Sequence, residues 1–275
     1  MNFPEPQSFL EAIGLPASSH LYRVLASEVA RLKTFQAPDL PTILPLPGRF
    51  EAALRRDQDR CGGAVIAEYK QASPSLGPFA LGTSLHAQLE AYREGGAACF
   101  SILIEPTFFL GQVTHLVEGS LLGVPTLYKG FVMAESQLRE AVASGASAVL
   151  LIARVLKNQT AAFAHIARNL GLKPLVELHD LTEVPLAQEA KARLVGINAR
   201  DLSTFTLGVP SAAPLREAFP DAVLIRESGL STPEDVAAAF RAGFDAVLMG
   251  EALMRSRDPK DFLCRIFAGT PPHVG

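Results

Sequence analysis

Tryptophan is absent from the 275-residue chain, and cysteine is scarce, with three residues that lack the spacing of metal ligands. An odd number of thiols at such positions indicates neither a disulfide framework nor a zinc site, so a reducing cytoplasm is the expected compartment. The six histidines show no ligand-like pairing, and we predict structural or solvent-facing roles for them, His179 included. We therefore expect no bound metal.

An excess of charge of one sign is also lacking. Lys and Arg number 25 and Asp and Glu number 28, which gives a net charge of −3 and no surplus of cations for a nucleic-acid backbone. The longest dense apolar run, AVLLIA from Ala148, is far shorter than the roughly 20 residues that cross a bilayer. The opening MNFPEPQSF has neither the basic end nor the apolar stretch of a signal peptide. We expect a soluble, cytoplasmic protein that binds neither nucleic acid nor membrane.

Glycine and proline, at 21 and 20 residues, are too few for a low-complexity chain, and 48% of the residues are hydrophobic. From residue 63 onward, short apolar runs alternate with segments of helical spacing. The runs begin at Ala64, Ala98, Val124, Ala146, Lys173, Arg193, Ala222 and Asp245. Apolar strands that alternate with helices indicate a parallel sheet covered on both faces, and this number of units predicts an α/β fold, a (β/α)8 TIM barrel over residues 63–275. A doubly wound open sheet is the weaker alternative.

Residues 1–62 are predicted to form an N-terminal helical extension that packs on the barrel, within a single domain overall. One helical pattern places Leu21, Leu25 and Val29 on one face, and a second surrounds Phe50 and Leu54. Because each apolar stripe must be buried, we expect the extension to cover part of one opening of the barrel.

Two helix starts are marked within the barrel region. Thr232 is a predicted N-cap, and Pro233 suits the first helical position. Asp180 and Glu183 resemble a capping box that opens the helix after the fifth strand.

Polar residues end several of the apolar runs, and in such barrels the active site lies at the carboxyl ends of the strands. Period-two alternation predicts which of these side chains share a face with the preceding apolar positions. They are Glu68 and Lys70 on the first strand, Lys129 on the third and Glu177 with His179 on the fifth, while Asn198 ends the sixth. Opposite charges that meet over one opening keep one another ionised while burial acts against them. The arrangement suits paired proton transfers, and a structural ring of ion pairs is the alternative.

A second signal indicates a phosphate site. The seventh run ends in ESG, residues 227–229, and the eighth in MGE, residues 249–251. Gly229 and Gly250 let backbone N–H groups approach an anion near a helix start, and the loops after strands seven and eight often bind phosphate in these barrels. Ser73, in the loop after the first strand, is a candidate hydroxyl donor.

Several segments together carry a resemblance to one family. The most specific are AEYKQASPS from Ala67 and GINARDL from Gly196. The others are FFLG from Phe108, LYKGF from Leu127, GASAVLLI from Gly145, LVELHD from Leu175, ESGLSTPEDV from Glu227 and LMGEALM from Leu248. Over nearly its whole length the chain resembles indole-3-glycerol phosphate synthase, a barrel enzyme of tryptophan biosynthesis.

The resemblance implies ring closure and decarboxylation of 1-(o-carboxyphenylamino)-1-deoxyribulose 5-phosphate, which yields indole-3-glycerol phosphate, carbon dioxide and water. It implies no cofactor, and the expected partner is a small-molecule sugar phosphate that carries an anthranilate group. By this resemblance Lys129 is the general acid that polarises the substrate carbonyl. Glu177 is the base and Lys70 the acid of the dehydration step.

The same resemblance implies roles for further residues. Glu68 and Asn198 hold the lysines and the substrate hydroxyls, and Ser228 completes the catalytic set. The implied substrate-binding residues are Ser73, Gly229 and Gly250 at the phosphate, Phe109, Phe131 and Leu150 at the anthranilate ring, and Arg200.

Four positions depart from the family's usual pattern. Gly130 follows Lys129 where the family usually has Asp, and the missing carboxylate is expected to let the pKa of Lys129 fall in a desolvated site. Gln71 and Leu76 stand where basic residues are common, which predicts a less positive mouth and slower substrate capture. Arg226 stands where a small residue is usual, and it is a candidate to restore positive charge near the phosphate loops.

Two other functions are compatible with these residues. A strand-end lysine with a lowered pKa is the nucleophile of a Schiff-base aldolase, a role open to Lys129. A non-catalytic or altered-specificity sugar-phosphate-binding barrel of the same family is the other alternative, and Gly130 and the altered loop after the first strand favour it.

Overall fold

Parallel strands form the centre of the computed structural model, which describes residues 4–36, 48–74, 76–79, 82–198 and 211–268. They are β1 Ala64–Tyr69, β2 Cys99–Leu103, β3 Thr126–Lys129, β4 Ala148–Ile152, β5 Lys173–Leu178, β6 Leu194–Asn198, β7 Val223–Glu227 and β8 Ala246–Met249. β1 pairs with β8 on one side and with β2 on the other, so the sheet closes into a barrel. The predicted TIM barrel is confirmed, and the open doubly wound sheet is wrong.

Helices precede the barrel and surround it. The first are α1 Pro6–Ala12, α2 His20–Lys33 and α3 Arg49–Cys61. Those around the barrel are α4 Leu85–Glu94, α5 Val113–Leu121, α6 Glu135–Ala143, α7 Ala153–Leu156, α8 Thr160–Asn169, α9 Val184–Glu189, α10 Ala213–Ala218, α11 Pro233–Arg241, α12 Glu251–Arg255 and α13 Pro259–Ala268. A small antiparallel hairpin, Ala72–Ser73 with Gly77–Pro78, follows β1. None of the helices in the described ranges has the length and apolar character needed to cross a membrane.

The start of α11 is as predicted. The hydroxyl of Thr232 accepts a hydrogen bond from the N–H of Asp235 at 3.2 Å, and Pro233 is the first helical residue. The carboxylate of Asp235 accepts in turn from the N–H of Thr232 at 2.9 Å, so a complete capping box begins this helix.

The predicted capping box at Asp180 and Glu183 is wrong in its second half. Asp180 caps a 3₁₀ turn over Leu181–Glu183, and α9 begins after that turn. Glu183 accepts from the backbone N–H of His179 at 2.8 Å instead of that of Asp180. The reason is Arg154, whose Nε lies 2.9 Å from the other carboxylate oxygen of Glu183 and holds it toward β5.

Alternation along each strand separates the barrel interior from the helix layer. On β7, Ile225 and Glu227 point inward, whereas Arg226 points to the helices, as its pairing with the outward Val247 shows. Inward positions in the middle of the barrel are mostly apolar and buried, with Ser101 on β2 as an exception, and charged side chains replace them at the carboxyl ends. A polar layer therefore lies above an apolar core.

The third helix, α3, lies across the amino-terminal ends of the strands. The carbonyl oxygen of Phe50 accepts from Sγ of Cys99, the first residue of β2, at 3.7 Å. Glu51 lies 2.6 Å from Nζ of Lys173, the first residue of β5. Phe50 itself is fully buried, so its ring helps to close this end of the barrel.

The second helix, α2, contacts the opposite end, where the strands finish. Ser27 Oγ lies 2.7 Å from Oγ1 of Thr107 in the loop after β2. Oε1 of Glu28 accepts from Nε2 of Gln137 at 2.8 Å, and Gln137 also accepts from the N–H of Met133 at 2.7 Å in the loop after β3. Polar side chains of α2 thereby support two loops at the carboxyl end.

Candidate active site

Lys129 lies at the centre of a charged cluster at the carboxyl end of the barrel. Its Nζ is 3.1 Å from Oε2 of Glu68 on β1 and 3.1 Å from Oε2 of Glu227 on β7. Lys70, just after β1, places its Nζ 2.8 Å from Oε1 of Glu68. The structure thus brings together two lysines and two carboxyl groups from three strands that are far apart in sequence.

Burial and charge act in opposite directions on this cluster. Burial alone raises the pKa of Glu68, yet the ammonium groups of Lys129 and Lys70 lower it to about 2. Burial also disfavours a charged Lys129, but Glu68, Glu227 and Glu177 together raise the pKa of this lysine above its usual value. Carboxyl groups on other strands thus supply the negative charge that residue 130 lacks, while a lower pKa than in family members with Asp at this position stays a prediction.

Glu227 and Glu177 form a second, coupled part of the site. Burial is the main cause that raises the pKa of Glu227, Lys129 opposes it, and Glu177 raises it further, to about 8. Oε1 of Glu227 is buried and has no hydrogen-bond partner within the described part of the chain. Burial and the adjacent Glu177 therefore favour the protonated form of Glu227.

The carboxylate of Glu177 has further neighbours. Nδ2 of Asn198 lies 3.3 Å from Oε1 of Glu177, and Oδ1 of Asn198 accepts from the hydroxyl of Ser228 at 2.7 Å. Nε2 of His179 lies 3.3 Å from the same oxygen of Glu177, and the His179 side chain is 7% exposed. A solvent-facing His179 is therefore wrong.

Ser228 has a left-handed backbone conformation, with φ of +68°. A residue other than glycine adopts this conformation at a cost, and such residues cluster at functional sites. Gly229 follows with φ of +71°, so two successive residues turn the chain sharply after β7.

Apolar side chains flank the charged cluster. The ring centroids of Phe109 and Phe131, in the loops after β2 and β3, are 6.1 Å apart with an angle of 31° between planes. Leu150 points inward from β4 and is buried, and the register between β3 and β4 sets it beside Lys129. Phe131 follows Lys129 by two residues and Leu150 neighbours it in the sheet, so apolar side chains border the strand end that carries the ammonium group.

The remaining predicted residues lie near the loops or outside the described ranges. A Cβ at Gly250, the N-cap of α12, would stand 2.5 Å from Oε1 of Glu68, so this loop approaches the cluster closely. Ser73 is buried in the hairpin after β1, and its hydroxyl accepts from the N–H of Leu76 at 3.3 Å. Arg200 lies outside the described residues.

Three other positions depart from the family pattern. Arg226 is 3% exposed and points to the helix layer, where it interacts electrostatically with Asp235 at the start of α11, so its effect on charge near the phosphate loops stays a prediction. Leu76 is 48% exposed, and Gln71 donates to the hydroxyl of Tyr69 at 2.9 Å.

Two buried acids were missed as site residues by the sequence reasoning. Glu227 was interpreted as part of a phosphate loop, although Val223, Ile225 and Glu227 show the alternation that was used for Glu68 and Glu177. Glu105 accepts from the N–H of Phe109 at 3.2 Å and so fixes the aromatic loop. It continues the alternation of Ser101 and Leu103 beyond the end of β2, so the same period-two pattern could have marked it.

An ammonium held between carboxyl groups, beside a carboxyl group whose pKa is raised, is equipped for general acid and base catalysis. Within the described ranges, no group of three or more His, Cys, Asp or Glu side chains is arranged to hold a metal ion.

A family model described as indole-3-glycerol phosphate synthase matches residues 26–266 of the chain. The chain belongs to this family. The indole-3-glycerol phosphate synthase of Lachnoclostridium phytofermentans is 41% identical over 204 residues, which cover 73% of this chain and 75% of that protein. The indole-3-glycerol phosphate synthase of Paracidovorax citrulli is 41% identical over 226 residues, which cover 80% of this chain and 85% of that protein.

Solved structures similar to this member of the indole-3-glycerol phosphate synthase family are also barrels. Tryptophan synthase subunit alpha from Legionella pneumophila matches with a TM-score of 0.57 and 14% identity, covering 81% of this chain and 98% of its own. Thiamine phosphate pyrophosphorylase from Pyrococcus furiosus matches with a TM-score of 0.55 and 15% identity, covering 74% of this chain and 93% of its own. At such low identities the likeness shows the fold alone.

Proposed function

We propose that the protein is an indole-3-glycerol phosphate synthase. It would convert 1-(o-carboxyphenylamino)-1-deoxyribulose 5-phosphate to indole-3-glycerol phosphate, carbon dioxide and water. The observation that carries this proposal is the position of Lys129, an ammonium held between Glu68 and Glu227 at 3.1 Å each, in a chain of this family.

Ring closure needs an acid at the substrate carbonyl. The aromatic carbon that bears the carboxylate attacks the carbonyl carbon, the C=O electron pair moves to oxygen, and Lys129 donates a proton to that oxygen. The raised pKa of Lys129 keeps the ammonium charged, and its burial makes stabilisation of the developing oxyanion effective.

Decarboxylation restores the aromatic ring, because the electron pair of the breaking C–C bond returns to the ring as carbon dioxide leaves. A substrate carboxylate reacts more readily where cations do not stabilise it. Phe109 and Phe131, whose ring centroids are 6.1 Å apart, support an apolar seat for the anthranilate group, with Leu150 beneath it.

Dehydration then needs an acid and a base. In this proposal Lys70 protonates the hydroxyl that leaves as water, and Glu177 removes the proton from the neighbouring carbon. Asn198 and Ser228 hold Glu177 through the contacts at 3.3 and 2.7 Å. Glu227, with its raised pKa, is suited to exchange a proton with Glu177 between turnovers.

The substrate phosphate would bind at the loops after β7 and β8. The left-handed turn at Gly229 and the position of Gly250 at a helix start support this assignment, since turns of this kind and helix starts offer backbone N–H groups to an anion. Ser73 and Arg200 remain proposed substrate-binding residues. We also propose a cytoplasmic location for the enzyme.

The aldolase alternative is disfavoured by the same cluster. A Schiff-base lysine must be deprotonated to attack a carbonyl, and the pKa of Lys129 is raised by its carboxyl neighbours. The single-turnover assay described next distinguishes a non-catalytic sugar-phosphate-binding protein from an enzyme.

The decisive experiment is a single-turnover assay. Protein in excess is mixed with 1-(o-carboxyphenylamino)-1-deoxyribulose 5-phosphate, and indole fluorescence is followed. We expect product from the wild type and a rate about 10²–10⁴-fold lower in Lys129→Ala, with substrate affinity little changed.

Lys260→Ala is the matched control, because this lysine pairs with Glu94 at 2.8 Å on the outer helices. It should behave as the wild type. Substrate binding without product would favour the binder, and trapping of a carbonyl substrate by borohydride would favour the aldolase.

A further inference from the structure

His179 is buried at the carboxyl end of the barrel, directly after β5. Alternation places it on the same face as Glu177, and its side chain is 7% exposed. Its Nε2 and the Nδ2 of Asn198 both lie 3.3 Å from Oε1 of Glu177. Two nitrogen atoms from different strands therefore approach one carboxylate oxygen.

The backbone and the surroundings of His179 are fixed by charged residues. Its N–H donates to Oε2 of Glu183 at 2.8 Å, and Oε1 of Glu183 accepts from Nε of Arg154 at 2.9 Å. Arg154 also pairs with Asp180 at 2.8 Å. The imidazole is thus held beside Glu177 by a chain of ion pairs behind it.

The surroundings of His179 favour a neutral imidazole. Burial and the nearby Arg154 lower the pKa of His179 below its usual value. The acidic neighbours that oppose this lowering are Glu183, Glu227 and Asp180. A neutral ring beside a carboxylate carries its proton on the nitrogen that faces the carboxylate, so Nε2 is the N–H and Nδ1 is an acceptor.

Nδ1 of His179 is buried and has no hydrogen-bond partner within the part of the chain that is described. Within those ranges the polar contact of the ring is therefore the one between Nε2 and Glu177.

We propose that His179 is a positioning residue, whose Nε2–H orients the carboxylate of Glu177 for proton transfer. The inference rests on the proposed function, in which Glu177 is the base. Catalytic hydrogen bonds are often long before substrate binds and shorten in the reacting complex, which suits the 3.3 Å separation. With Asn198 on the other side, His179 leaves the second oxygen of Glu177 to take the proton.

Three substitutions test this role. His179→Leu removes the donor, His179→Gln keeps an N–H at a similar reach, and His179→Asn keeps an N–H on a shorter side chain. We expect kcat to fall about 10–100-fold in His179→Leu with KM changed less than about threefold, since misorientation of a base by about 1 Å has effects of this size. His179→Gln should remain within about threefold of the wild type, with His179→Asn between them.

The pH–rate profile gives a readout that a structural role would not move. A donor on a carboxylate favours its charged form, so its loss in His179→Leu should shift the acid limb of kcat/KM to higher pH. His179→Gln should leave that limb in place. A His179→Gln variant as impaired as His179→Leu, or wild-type kcat in His179→Leu, would overturn the inference.

Two features keep the result interpretable. If His179→Leu does not fold, the comparison of His179→Gln with His179→Asn decides the matter, because reach alone distinguishes them. Nitrogen NMR of the imidazole in the wild type tests the Nε2–H tautomer without any assay, and the Nδ1–H tautomer would refute the inference. A wild type without turnover would instead refute the proposed function.

Discussion

The backbone of Gly130 lies against the ring of Tyr128. A Cβ at residue 130 would stand 2.6 Å from Cε1 of Tyr128, closer than a side-chain carbon ever approaches another. Tyr128 is fully buried between the barrel and α6, and its hydroxyl donates to Oε2 of Glu140 at 2.6 Å. The ring is thereby held in place, so the glycine after Lys129 is matched to the tyrosine before it.

Gly130→Ala should lower the free energy of unfolding by about 1–3 kcal/mol, since it overpacks a buried ring that cannot move aside. The φ of Gly130 is not positive, so the cost comes from the clash and not from backbone strain. Urea unfolding measures it, and the cost should shrink in a Tyr128→Leu background. Gly119→Ala is the control, because a Cβ there has its nearest neighbour at 3.4 Å.

Gly130→Asp would add a carboxyl group next to Lys129, but the contact with Tyr128 makes it a poor test of charge. An aspartate at this position must displace Tyr128, so an altered pH–rate profile would not isolate the charge of the new carboxylate. The carboxyl groups that act on Lys129 are Glu68 and Glu227, and substitutions there test its protonation directly.

Glu68→Gln should shift the alkaline limb of the pH–rate profile to lower pH. Glu68 raises the pKa of Lys129, so its loss lets the ammonium deprotonate earlier as pH rises. The profile of kcat for wild type and variant measures the shift. Glu94→Gln removes an exposed partner of Lys260 and should change nothing. Coincident alkaline limbs for wild type and Glu68→Gln would show that Lys129 is not the titrating acid.

Glu227→Gln should alter how stability depends on pH. The pKa of Glu227 is raised to about 8 in the folded protein from 4.5, so this carboxyl group stabilises the fold fully below pH 4.5 and loses that contribution as pH rises through 8. The wild type should therefore lose stability relative to the variant between about pH 5 and 8. The loss should reach a few kcal/mol, because each tenfold change in proton affinity corresponds to about 1.4 kcal/mol.

Urea unfolding at several values of pH within that window tests the prediction. The difference between variant and wild type should grow steadily with pH. A constant difference would mean that the proton is not held by the pair of Glu227 and Glu177.

The strands were predictable from sequence because buried parallel strands are continuous apolar runs. On β5 the predicted run and the observed strand share both ends, Lys173 and Leu178. The same alternation identified Glu68, Lys70 and Lys129, since position along a strand determines which face a side chain takes. The distances between these side chains and their protonation depend on strands that are distant in sequence. Only the closed barrel brings those strands together.

The residues that sequence reasoning missed or misjudged depend on contacts between elements. Tyr128 constrains residue 130 because its ring turns back under the loop, and no periodicity describes that approach. Arg154 diverts Glu183 from its local capping role, because an ion pair across 29 residues outweighs a local hydrogen bond. Glu105 acts through backbone N–H groups of a loop, which a sequence pattern does not show.

Alanine at the two proposed phosphate glycines should separate binding from chemistry. At Gly250 a Cβ would stand 2.5 Å from Oε1 of Glu68 and 3.0 Å from its Cβ, so Gly250→Ala should displace Glu68 and lower kcat. At Gly229 the φ of +71° makes Gly229→Ala strained, and relaxation of the turn should redirect backbone N–H groups and raise KM. Steady-state kinetics should therefore show a mainly kcat effect for Gly250→Ala and a mainly KM effect for Gly229→Ala.

Gly82→Ala is the control, because a Cβ there has nothing within 4 Å. An unchanged KM in Gly229→Ala would remove Gly229 from the phosphate site, since a phosphate bound by its amide would anchor the substrate.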